Sequence, residues 1–258
     1  MNIRTIITGL LLLTALICPA LAAKELSGQE ILDKSQKLNE ADSRAASMEM
    51  KLIDKDGEVS KREVRFWSKG EDKRLIKFLS PADVKGVGFL ILNADSDDEM
   101  MYLYLPAFKK IRRISGSAKS GSFMGSDFSY DEIGSTGYND DYKAERLDDE
   151  NGQFKLKLSR KDKSDAEYEQ LIMWVSQEAF VPTRVEMYKE KKRSGKAYLE
   201  LRKVMTAEKI TKTGKYWMPF SITMEDVKKG HKTVLTMSNV KVDDDVPDDY
   251  FTQRYLQR

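Results

Sequence analysis

Charged and apolar residues alternate along most of this chain, and turn-forming pairs break the alternation at short intervals. Met48, Met50 and Leu52 interleave with Glu49 and Lys51, and Val64 and Phe66 flank Arg65. Side chains of an extended strand point to opposite faces with period two, so the pattern predicts strands with one face in a core and one in water. Asp54 to Gly57 and Gly70 to Asp72 read as hairpin turns. Strands are predicted at 73–79, 86–92 and 100–105, with a loop around Pro81 and an acidic turn from Asp95 to Glu99. More follow near 141–147, 153–160, 167–175, 182–189, 197–205, 216–226 and 232–242. Asn151-Gly152, Ser194-Gly195, Thr213-Gly214 and Lys229-Gly230 punctuate them. The expected fold is mainly β (α+β): a half-open antiparallel β-barrel, or one strongly curved sheet. No linker composition interrupts it, so residues 23–258 read as one domain.

Two segments depart from the rhythm. Residues 27–42 read as an amphipathic helix: Ser27 and Glu30 form a capping box, and Ile31, Leu32, Leu38 and Ala41 share a stripe. Residues 115–137 are rich in Ser and Gly and carry Phe123, Met124, Phe128 and Tyr130 without a clean period. That segment is either a helical or loop lid over the open side of the sheet, or a long loop that tucks its aromatics into the core.

The N-terminus has the form of an export signal. Arg4 supplies a positive region, Ile6 to Ile17 is almost wholly apolar, and Ala20 to Ala22 offers a cleavage site. The apolar run falls short of the roughly 20 residues that span a bilayer. Cleavage near Ala22 removes the only cysteine, Cys18; the residue before it, Ile17, is larger than a lipidation signal uses. Losing Arg4 with the leader leaves 43 basic against 42 acidic residues, a balance that argues against a nucleic-acid partner. A bacterial periplasm is the expected compartment.

Catalytic and metal-binding patterns were sought and not found. One histidine, His231, and no cysteine after the leader leave no usual zinc set. No Gly-x-Ser-x-Gly elbow occurs, and Gly116 to Ser122 lacks the Gly-Lys-Ser/Thr ending of a phosphate loop. Asp243 to Asp245 with Asp248 and Asp249 read as a solvated acidic turn. We expect no enzyme, no cofactor and no metal.

The stretch from Arg74 to Ile133 is the most apolar of the sheet. In Val87 to Leu92 and Met101 to Leu105 both alternating faces are apolar. This predicts either strands buried on both sides or a surface that holds an apolar guest. Methionines such as Met187, Met218 and Met224 suit variable apolar partners, although core methionines are common. Alternation places Lys110 and Arg112 on one face, and Lys109, Ile111 and Arg113 on the other. They read as a basic rim, as a contact for an anionic membrane surface, or as a charged edge that resists aggregation.

Four stretches carry a resemblance. They are Phe78-Leu-Ser-Pro-Ala-Asp-Val-Lys-Gly-Val-Gly-Phe89, Leu103-Tyr-Leu-Pro-Ala-Phe-Lys-Lys-Ile-Arg-Arg113, Phe123-Met-Gly-Ser-Asp-Phe-Ser-Tyr-Asp131 and the tail Val246-Pro-Asp-Asp-Tyr-Phe251. With these the chain resembles the LolA-like family of outer-membrane lipoprotein-sorting proteins. The resemblance implies a half-barrel with helices over its mouth, a cavity for acyl chains of a lipoprotein or lipid, and transfer between envelope membranes. It also implies an inner-membrane exporter and an outer-membrane acceptor as partners. A sensor or adaptor that grips a membrane protein is the alternative. Candidate lining residues are Phe89, Ile91, Met101, Leu103 and Leu105 on strands, with Phe123, Met124 and Phe128 on the irregular segment. Lys110 and Arg112 are candidates for the rim.

Overall fold

The computed structural model describes residues 25–258 except 95, 97 and 136. The leader expected at 1–22, with Cys18, lies outside the described residues.

The chain forms one antiparallel sheet of thirteen strands: β1 (Ser43–Ile53), β2 (Val59–Lys69), β3 (Lys73–Ser80), β4 (Gly88–Leu92), β5 (Met100–Leu105), β6 (Lys110–Ile114), β7 (Tyr142–Arg146), β8 (Gln153–Arg160), β9 (Gln170–Ser176), β10 (Pro182–Arg193), β11 (Lys196–Thr213), β12 (Tyr216–Asp226) and β13 (His231–Val242). Their spatial order is 6-5-4-3-2-1-13-12-11-10-9-8-7. The sheet is curved and unclosed. Each half is a run of consecutive hairpins, the halves join where β1 pairs β13, and β6 and β7 are the two edges. The turn pairs do what their chemistry allows: Asn151, Gly152, Ser194 and Gly195 all adopt positive φ.

Three helices decorate the sheet: α1 (Gly28–Lys37), α2 (Tyr130–Gly134) and α3 (Gln253–Leu256). Ser27 caps α1, and the reciprocal bond from its own N–H to Glu30 completes the expected box. The helix ends earlier than its stripe suggests. Lys37 is its last residue, Leu38 points to solvent at 53% exposure, and Ala41 joins a separate cluster with Tyr216 and Met218. α1 lies against β7, where the Arg146 guanidinium donates to the Leu26 carbonyl and the Ala144 N–H to the Gln29 side chain.

Cross-strand pairing sorts the apolar residues by face. Ile76, Phe89 and Leu103 pair in one row and Met101 with Ile91 in the next, all on the concave face with Ile31, Leu32, Leu156, Met173 and Val185. Leu75 and Leu90 pair on the convex face, where Val246, Phe251 and Leu256 of the C-terminal tail cover them. β4 and β5 are apolar on both sides because a layer lies on each side. Gly88 belongs to that arrangement: a Cβ there would sit 2.6 Å from Leu256 Cδ1.

Candidate functional site

Residues 115–141 connect the opposite edges β6 and β7, and Phe123 and Phe128 pack in the concave-face cluster, so the segment crosses that side. Topology thus settles what composition left open: the segment lies over the mouth and also buries its aromatics. It begins with tight turns in which Met124 and Gly125 adopt positive φ, and the Phe123 N–H donates to the Phe128 carbonyl at 2.8 Å. Ser129 and Glu132 then form a capping box that starts α2.

The segment is seated by aromatic packing and by side-chain bonds. Phe123 is fully buried, with ring centroids 5.2 Å from Phe89, 5.8 Å from Phe78 and 5.5 Å from Tyr130. α2 presses so closely on the floor that a Cβ at Gly134 would lie 2.5 Å from Met101 Cε. The Arg62 and Arg74 guanidiniums donate to the Met124 and Gly134 carbonyls. The Asp127 N–H donates to Thr233 Oγ1 at 2.9 Å, and that hydroxyl donates back to Asp127 Oδ2 at 2.7 Å. Glu132 is the densest anchor. It accepts from Lys203 Nζ at 2.7 and 3.0 Å, from the Tyr168 hydroxyl at 2.9 Å and from the Ser129 N–H at 2.7 Å. Burial and the neighbouring carboxylates of Glu132 and Glu167 push the Tyr168 hydroxyl far above its ordinary pKa, so it stays a donor.

The candidate lining residues fall in two groups. Phe89, Ile91, Met101, Leu103 and Phe123 are buried in the packed core under the segment, with Leu105 and Met124 half-buried against it. Of the eight, Phe128 borders open volume. That volume lies toward the other half of the sheet, in a cavity of about 220 Å³ between the segment and β9–β12, with Tyr138, Leu171, Met187, Met205 and Met224 in its wall. A second cavity of about 290 Å³ continues toward α1, with Leu32, Val181, Trp217 and Met218. Gly137, Tyr138, Met205 and Ile222 border both. The larger of the two comes close to the ~300 Å³ at which ligand pockets begin. Register explains two of these methionines: Met205 pairs with Met224, so both project to the concave side.

A polar cleft adjoins the first cavity across Phe128, Ser129 and Tyr168, and Ser120, Ser122, Ser126, Lys189, Arg202 and Lys229 border it. Lys229 pairs with Asp226 at 3.3 Å, and Lys189 pairs with Glu167. Lys110 and Arg112 do share the concave side, opposite Leu105 and Leu103. They stand exposed on the edge strand and border none of these cavities, whereas Lys189, Arg202, Lys203 and Lys229 border the polar cleft and Arg44 the second cavity. Among the described residues no cluster of metal-ligating side chains occurs, and no helix is long and apolar enough to cross a membrane.

Comparison with known proteins places this architecture. A family described as an uncharacterized protein matches residues 70–258. The crystal structure of a domain named for outer membrane lipoprotein sorting, from Vibrio parahaemolyticus, is 31% identical over 90% of this chain and 98% of its own, with a TM-score of 0.79. The chain belongs to the LolA-like family of outer-membrane lipoprotein-sorting proteins. A DUF1329 family protein from Desulfovibrio piger is similar at 28% identity, covering 89% of this chain and 98% of its own, with a TM-score of 0.81. A LolA superfamily protein from Nitrosomonas europaea shares the fold at 24% identity, 90% and 100% coverage and a TM-score of 0.69. No curated protein matches. Of the three, the Vibrio parahaemolyticus domain is named for lipoprotein sorting.

Proposed function

We propose that this protein is a periplasmic carrier that takes up the acyl chains of a lipoprotein or lipid on the concave side of its sheet and moves them between envelope membranes. The observation that carries this reading is the pair of adjacent cavities beneath the crossing segment, walled by Met187, Met205, Met218 and Met224. Unbranched, polarisable methionines repack around guests of differing shape. The polar cleft beside it suits the head of an amphiphile. Each methylene moved out of water stabilises the complex by about 0.8 kcal/mol. Longer cargo needs more room, and lifting the segment would add Phe89, Ile91, Met101, Leu103 and Leu105 to the binding surface. Phe123, Met124 and Phe128 would then swing with the segment as its apolar underside. Mechanistically this is binding and release without bond chemistry. An inner-membrane exporter as donor and an outer-membrane acceptor would complete the route.

The test is native purification from the periplasm followed by mass spectrometry of extracted ligands, with Ile222→Trp alongside. Ile222 borders both cavities, so an indole there would intrude on both. We expect acylated cargo at about one equivalent in the parent and little in the variant, at similar thermal stability. Equal cargo in both proteins, or none in either with added lipid also failing to bind, refutes the reading.

A further inference from the structure

The two edges of the sheet are finished differently. The β7 edge is covered by α1, and its Arg146 is neutralised by Asp149 at 2.8 Å. The β6 edge is open, and it carries Lys110, Arg112 and Arg113, with Lys109 in the turn that precedes it. All four are exposed, and none makes an ion pair among the described residues. Register sends Lys110 and Arg112 to the concave side and Arg113 to the convex side, so the edge is positive from both directions.

The turn before it presents an aromatic ring. Pro106 to Phe108 form a short 3₁₀ turn, closed by Lys109 at φ 50° with its N–H bonded to the Pro106 carbonyl at 3.0 Å. Pro106 also packs near Gly86, which stiffens the hairpin tip. Phe108 projects from that tip at 69% exposure, the highest of any large apolar side chain among the described residues. A lone exposed apolar residue needs no explanation. Charge on an open edge can also be protection against strand pairing. An aromatic at the tip works against such protection, and four like charges on and beside one five-residue strand with no counter-ion exceed what it needs.

We propose that this hairpin is a docking site for an anionic phospholipid surface: Phe108 enters the interface while Lys109, Lys110, Arg112 and Arg113 contact acidic head groups. Aromatic rings settle at the head-group level of a bilayer, and basic residues are drawn to its negative surface. The edge strand runs directly into the crossing segment, and the positive charge of Arg112 reaches Tyr130 of α2. Docking there would set the mouth of the sheet against the membrane.

Vesicle flotation tests this, with phosphatidylglycerol–phosphatidylcholine vesicles against pure phosphatidylcholine, at low and high salt. We expect partition onto the anionic vesicles only, lost at high salt. Each of K109Q, K110Q, R112Q and R113Q should weaken it about fivefold, from the ~1 kcal/mol that each basic residue gains at such a surface. F108S should weaken binding without changing its salt dependence. All five positions are exposed, and circular dichroism will verify that the variants stay folded. Equal partition onto neutral vesicles, unchanged partition of the quadruple variant, or binding to an acidic peptide without binding to vesicles each overturns the proposal.

Discussion

If the crossing segment must lift to admit cargo, then loosening it should strengthen binding even as it weakens the fold. The Lys203–Glu132 pair is the place to test this. Both side chains are 14% exposed, and Glu132 keeps two other donors, the Tyr168 hydroxyl and the Ser129 N–H, when Lys203 is removed. Stripping one partner from a buried pair costs about 3–5 kcal/mol when the remaining charge is left bare. With two hydrogen bonds retained, we place the cost of Lys203→Met at about 2 kcal/mol. That cost should fall on closure of the segment, raising its open fraction about thirtyfold. A ligand whose competent state is rare binds with its affinity scaled by that rarity, so a fluorescent fatty acid should bind up to about thirtyfold tighter. Tyr168→Phe removes a single bond and should shift both readouts the same way by about fivefold, for roughly 1 kcal/mol. The assays are hydrogen exchange of residues 126–135 and a fatty-acid titration. Faster exchange spread equally over β8 and β9 would show that the pair stabilises the whole sheet. Unchanged or weaker fatty-acid binding would refute the coupling itself.

Two further outcomes follow from other parts of the structure. Leu256 is fully buried against Leu75 and Leu90, so Leu256→Ala should cost about 3 kcal/mol in urea unfolding and leave fatty-acid binding intact; a loss under 1 kcal/mol would show the convex layer to be dispensable. Burial, then the hydrogen bond and charge of Glu71, hold the Glu40 carboxyl up at about 7, against an ordinary value of 4.5. Between those values the folded chain binds a proton that the unfolded chain has released. This stabilisation is present in full below pH 4.5 and is lost as pH rises through 7. The denaturation midpoint should therefore fall from pH 5 to pH 8, and Glu40→Gln should flatten that part of the profile; an unaltered profile in the variant would assign the dependence to other groups.

Local chemistry explains why the strands were legible and the cavity was not. All seven strands expected after residue 140 occur, because alternation and the Asn-Gly or Ser-Gly pairs are short-range signals. β11 extends to Thr213, eight residues past its expected end, because it pairs along its length with β10 and β12. The helix at 28–37 was visible through its capping box, while its stop at Lys37 was masked by Ala41, which serves a different cluster. The doubly apolar β4 announced burial on two sides without saying by what. The answer lies in the tail at 246–256, far away in sequence. Likewise Met187, Met205 and Met224 meet only through the register of three neighbouring strands. An excess of methionine was the available signal, and it carries no address.

The same topology that hid the candidate site also decides how the crossing segment is held. Every strand of this sheet is locked to its neighbours by backbone ladders, so separating two of them breaks many bonds at once. The crossing segment is different. Among the described residues, the backbone–backbone hydrogen bonds of 116–135 run within the segment: Phe123 to Phe128, Tyr130 to Gly121, Asp131 to Lys119, Ile133 to Ser129. Its ties to the sheet are side-chain contacts, those of Arg62, Arg74, Lys203, Thr233 and the Phe123 ring. Lifting it as a unit would keep its internal bonds and leave the thirteen-stranded ladder whole. Water replaces its polar ties on opening, and an acyl chain would replace the contacts of Phe123 and Phe128 with the floor. In the proposed carrier, opening would thus be costly when the protein is empty and much less so with cargo present, as staying closed in water and exchanging at a membrane requires.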